Sequence, residues 1–88
     1  GYPEPPYPEA LLNMSGYMNL DMNQPEKAKM YFELAIEYYP ERPNVYDSMA
    51  DFYEALGDIP NALRFAQKAV ELSDDDYYKT RVQKLQDK

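Results

Sequence analysis

Shifted by thirty-four residues, the chain falls on itself. Ala28 lands on Ala62, Ala35 on Ala69, Glu37 on Glu71, Ile36 on Val70, Tyr31 on Phe65 and Asn23 on Gly57. A unit of this length used twice is one supersecondary element that cannot bury its apolar face alone. Copies must stack, and each copy touches mainly its neighbours. The spacing inside each unit decides what the element is. Ala28, Tyr31, Phe32, Ala35, Ile36 and Tyr39 recur at helical intervals in the first unit, and Ala62, Phe65, Ala66, Ala69 and Val70 do so in the second. No stretch alternates in the manner of a half-buried strand. The unit is a helix pair.

Extending this periodicity along the chain predicts five helices, over 9–22, 25–39, 44–56, 59–72 and 75–87. The punctuation agrees. Pro25 and Pro60 fall in first turns, where a missing N–H is harmless, and Pro40 and Pro43 bracket the turn between the second and third helices. Gly57 and Asn23 follow the third and first helices, where the chain needs a positive φ. Ser73 and the run Asp74 to Asp76 read as a cap and a negative first turn, since they lack the spaced ligands and central glycine of a calcium loop. Four prolines in residues 1–8 predict an extended strap, with Tyr2 and Tyr7 available for burial. The glycine start reads as that of a fragment, and the strap as a linker from a preceding domain.

Composition narrows the function. With nine Lys+Arg, sixteen Asp+Glu and no histidine, the 88-residue chain carries −7, which excludes nucleic acid and anionic membrane as partners. The absence of cysteine and histidine removes the common zinc ligands, the thiolate nucleophile and the usual general base. Ser15, Ser48 and Ser73 then have nothing to activate them. No metal, cofactor or catalytic residue is expected, so this segment is not an enzyme. With 44% apolar content a thin core of modest stability is expected.

The residues that carry the repeat resemble the tetratricopeptide repeat family. That pattern runs aromatic-x2-Leu-Gly-x2-Tyr, then Ala-x3-Phe, an Ala and a closing Pro. The second unit offers Tyr46-x2-Met49-Ala50-x2-Tyr53, then Ala62-x3-Ala66, Ala69 and Asp74; the first offers Leu12-x2-Ser15-Gly16-x2-Asn19, then Ala28-x3-Phe32, Ala35 and Pro40. The resemblance implies an all-α, right-handed stack of two helix-turn-helix pairs, units 9–42 and 43–74, closed by a capping helix over 75–88. Ala28, Phe32, Ala35, Tyr53, Ala62, Phe65 and Ala69 are expected to be buried.

The resemblance also implies a protein-interaction module that takes a polypeptide segment on the concave surface of the first helices. In this register that surface comprises Asn13, Tyr17, Leu20 and Asp21 from the first unit and Asn44, Asp47, Asp51 and Glu54 from the second. Tyr78 and Arg81 come from the cap. Members that grip acidic peptide ends use Lys, Arg and Asn here, and only Asn13 and Arg81 match. The acidic surface favours a basic or neutral segment instead. The same carboxylates also read as an ordinary solvated helix face.

A second surface follows from the first helix, where Leu11, Met14, Met18 and Met22 have no preceding unit to cover them. Flexible, polarizable methionines suit a contact that adapts. The expected cover is the Tyr2–Tyr7 strap, a second copy in a weak homodimer, or a preceding domain. Finally, the run Asn44 to Ala50 and the Pro-rich lead-in resemble C-terminal appendages of bacterial serine hydrolases, esterase-like or β-lactamase-like. That context implies docking in cis on a catalytic domain outside the cytoplasm. None of the hydrolase motifs is present, so no catalytic residue carries over.

Overall fold

A computed structural model describes residues 4–88; Tyr2 of the strap lies outside the described residues. Five helices follow one another: α1 (Glu9–Asp21), α2 (Pro25–Tyr38), α3 (Pro43–Ala55), α4 (Ile59–Leu72) and α5 (Asp76–Gln86). There is no strand among the described residues. The architecture is an all-α helical repeat, with every predicted helix present and its ends within a residue of expectation. Pro43 opens α3 rather than standing outside it, because proline tolerates the first helical position, where its N–H would have no partner.

The helix ends explain the repeat's sharp turns. Asn23 and Gly57 adopt φ of 59° and 80° after α1 and α3. In both turns the next residue's N–H reaches back over a full turn, Gln24 to the Asn19 carbonyl at 2.8 Å and Asp58 to that of Tyr53 at 2.9 Å. Side-chain caps differ between units. Asp58 accepts from the Asn61 N–H at 3.2 Å, and Asp75 from that of Tyr77 at 2.9 Å, whereas Gln24 caps nothing.

Neighbouring helices pack antiparallel within pairs, α1 on α2 and α3 on α4, and the pairs meet through α2 and α3. The seams are lined by small residues: Gly16, Ala28, Ala35, Ala50, Ala62, Ala66 and Ala69 are all buried. A methyl at Gly16 would lie 2.5 Å from the buried Phe32 ring, so this close approach requires glycine. Aromatic rings then run through the stack. Tyr17 meets Phe32 edge-on at 5.1 Å, Phe32 lies tilted against Phe52 at 6.2 Å, and Tyr53 stacks on Phe65 at 5.6 Å.

Two expectations about burial need correction. Tyr53 and Phe65 are half-buried, because they stack on one another at the edge of the core, with the Arg64 guanidinium 5.0 Å above Phe65. α3 is buried almost all round over residues 45–50, since α1 and α2 flank it on one side and α4 on the other. That is why even Asp47 and Ser48 are buried there.

Among its described residues the strap is tied down where the Tyr39 hydroxyl donates to the Tyr7 carbonyl at 2.6 Å. Tyr7 lies over a shallow groove formed by Leu11, Leu12, Met30, Tyr31 and Leu34. The described part of the strap therefore reaches only the Leu11 end of the row on α1. Met14, Met18 and Met22 remain 55%, 54% and 60% exposed.

Candidate functional site

Asp47, Asp51 and Glu54 recur on α3 at intervals of four and three, which places all three on one side of the helix. α1 and α5 flank that side. From α5, the Arg81 guanidinium reaches into the trio: it pairs with Asp51, lies 3.5 Å from Glu54 Oε1, and brings Nε 3.9 Å from Asp47 Oδ1. Lys88 Nζ adds a second cation 3.1 Å from Glu54 Oε2. From α1, the Tyr17 hydroxyl donates to Asp51 Oδ2, and Asn13 Oδ1 accepts from the Ser48 hydroxyl. Asp51 is thus the meeting point of three helices.

The electrostatics differ along the trio. Asp47 is 3% exposed, and burial pushes its carboxyl above the ordinary range, with the Arg81 charge opposing. Its 3.9 Å separation from Arg81 gives charge attraction without hydrogen-bond geometry. Asp51 and Glu54 keep part of their surface in solvent. Burial also raises the Tyr17 hydroxyl, which stays protonated and able to donate. Two cations meet three carboxylates here, and Asp21 at the end of α1 is exposed as well. The face keeps an acidic surplus.

Of the residues expected on this surface, Asn13, Tyr17, Asp47, Asp51, Glu54 and Arg81 converge. Leu20 is turned into the aromatic cluster around Phe32 and Phe52, and Tyr78 packs with Val45, Tyr46 and Ala69. Asn44 and Asp21 stand exposed at helix ends. Asp47 belongs to the floor and offers almost no surface to a ligand. Ser48 and Lys88 were not among the expected residues. Lys88 lies seven residues after Arg81, as Glu54 does after Asp47, and that interval is the signal that points to it. Ser48 has no such signal, because its role depends on how closely α1 approaches. No helix among the described residues is long and apolar enough to cross a membrane.

A sequence model of the tetratricopeptide repeat matches residues 9–42 and 43–76, two consecutive units over most of the chain. The chain belongs to the tetratricopeptide repeat family. No match is found among curated proteins. Tetratricopeptide units are generally protein-interaction modules and typically carry no catalytic machinery. The family pattern accounts for the packing just described. The tetratricopeptide small positions are Gly16 and Ala50 on the first helices and Ala28 and Ala62 on the second, all buried at the seams. In the first unit Ser15 and Asn19 replace the usual Leu and Tyr, and the Asn19 amide folds back on the Ser15 carbonyl at 2.8 Å.

Proposed function

We propose that this tetratricopeptide pair binds an extended polypeptide segment, basic or neutral in character, along the face shared by α1, α3 and α5. The observation that supports this most is the fixing of Asp51 by Tyr17 and Arg81 from two other helices. A carboxylate held from both sides leaves little side-chain freedom to lose on binding. The acidic surplus beside it attracts Lys or Arg side chains and repels acidic peptide ends. A ligand cation would compete with Arg81 for Glu54 and add to the exposed Asp21, while Asn44 and Tyr17 offer hydrogen bonds to its backbone.

A fluorescence titration with a Lys/Arg-containing peptide pool tests this. Asp51→Asn with Glu54→Gln is expected to weaken binding severalfold and to reduce its salt dependence. Binding unchanged in the double variant would remove this face from the account.

A second reading has its own support. The exposed row Leu11, Met14, Met18 and Met22, with the resemblance carried by Asn44 to Ala50, favours a structural appendage docked in cis on the catalytic domain of a bacterial hydrolase. In that context the protein acts outside the cytoplasm. A G-x-S-x-G or S-x-x-K motif upstream in the full-length gene product is the expected finding, and its absence would sink this reading.

A further inference from the structure

The groove under the strap has a counterpart in the second unit. In the first unit Tyr7 lies over Leu12, Met30, Tyr31 and Leu34. Shifted by the repeat length, those four become Tyr46, Arg64, Phe65 and Lys68, and they line an open groove of about 430 Å³ between α3 and α4. The residue at Tyr7's own register is Glu41, which is exposed and takes no part in lining this second groove. Among the described residues no strap covers it. Its chemistry also departs from that of the rest of the surface. The Arg64 guanidinium lies 5.0 Å from the centre of the Phe65 ring and the Lys68 ammonium 5.9 Å from that of Tyr46, with both cations exposed. Lys68 also lies 3.5 Å from Glu71 at the rim, whereas Arg64 forms no ion pair among the described residues. An aromatic floor thus carries a net positive rim on a chain of −7.

We propose that this second groove binds an extended segment of a partner protein in which a tyrosine among prolines is flanked by a carboxylate. The first unit shows the fit from within the chain. There Tyr7 stands between Pro6 and Pro8, and Pro8 has φ −63° and ψ 149°, the geometry of a polyproline helix. A segment stiffened in this way has little freedom to lose on docking. Its proline and tyrosine rings pack on Tyr46 and Phe65, and its carboxylate meets Arg64 and Lys68. In the first unit Met30 and Leu34 stand where those cations are, so the strap's own groove has no charge with which to select an acidic flank. The second groove keeps the shape and adds the charge.

The strap of a second copy is the poorer source of such a segment. Tyr7 is already held on its own chain by the Tyr39 hydroxyl, and two bodies of −7 repel one another.

This inference rests on the interaction-module reading only in making the ligand a polypeptide. It concerns a different face and a ligand of opposite charge, so the two tests fail separately. The probe is a synthetic peptide of residues 4–9, Glu-Pro-Pro-Tyr-Pro-Glu, titrated into the full chain while backbone amide shifts are recorded. The largest shifts are expected at Tyr46 and over residues 64–71. Arg64→Glu with Lys68→Glu should weaken binding severalfold while leaving the fold intact, because both side chains are exposed. A peptide carrying Tyr7→Ala should bind more weakly to the parent chain, and Asp51→Asn with Glu54→Gln should leave binding unchanged. Shifts confined to Leu11, Met30 and Tyr31 would mean that the peptide only replaces the strap in its own groove, and would overturn the proposal. So would the absence of shifts, or binding that survives the charge reversal. Loss of binding in the Asp51 and Glu54 variant would place the peptide on the other face and overturn this inference alone. Sedimentation showing a dimer of the free chain that Tyr7→Ala breaks would make a second copy the occupant, which also overturns it.

Discussion

Gly16 of α1 and Phe32 of α2 share one space: the ring lies where a side chain on Gly16 would begin, 2.5 Å from the position of a Cβ. Phe32 is fully buried, in contact with Tyr17 on one side and Phe52 on the other, so it has nowhere to retreat.

Gly16→Ala is therefore expected to destabilise the protein despite alanine's better helix propensity. Overpacking of ~1–3 kcal/mol outweighs the ~1 kcal/mol gained in the helix. Urea denaturation measures the sum, and a variant more stable than the parent would mean that the helices can slide apart.

Ala62 plays the matching part in the second unit, fully buried in a cluster with Ala50, Ala66 and Leu85. Ala62→Leu should lower stability by ~1–3 kcal/mol for the same reason. A variant that melts like the parent would show that α3 and α4 do not pack closely enough for the repeat register to matter.

Asp47 sets the pH dependence. Burial raises its folded-state carboxyl above the unfolded value of 3.8, with Arg81 opposing, so the folded chain binds its proton more tightly than the unfolded chain does. Stability contributed by this group falls as pH rises from the unfolded value through the folded one, and the penalty is complete once the pH is above the folded value. Compared with the parent, Asp47→Asn should gain relative stability as pH increases above the unfolded value of 3.8. Arg81→Gln should do the reverse. It leaves Asp47 buried without its cation, at ~2 kcal/mol near neutral pH, below the ~3–5 of a fully buried pair because Arg81 still touches solvent. That loss should shrink in the Asp47→Asn background, and a double-mutant cycle reads the difference.

The two turns make a paired test. Gly57→Ala meets no atom within 4 Å but must hold a φ of 80°, so only backbone strain of ~1 kcal/mol should appear. Asn23→Gly, at a φ of 59°, should be neutral or slightly stabilising. A destabilised Asn23→Gly would show that the Asn23 side chain has a role beyond tolerating the turn.

The helices and turns were legible in the sequence because their causes are local. The positive-φ positions Asn23 and Gly57, the prolines at helix starts and the alanine seams each leave a mark at a fixed offset. The convergence of Asp47, Asp51, Glu54 and Arg81 was legible through the repeat register. What the register does not encode is depth. It put Asp47 on a surface, while the flanking helices closed over it, and it buried Tyr53 and Phe65, which instead found each other at the edge. The Tyr17 bond to Asp51 was hidden for a related reason, since it depends on ring length and on how near α1 comes to α3.

Asp51 also changes how the protein should come apart. In a stack where each pair feels mainly its neighbour, an end helix can fray while the rest persists. Here Tyr17 near the start of the chain and Arg81 near its end hold the same carboxylate. Releasing either leaves the other's partner half-satisfied, so loosening at one terminus weakens the hold on the opposite one. Helices α1 and α5 should therefore loosen together rather than fray one at a time.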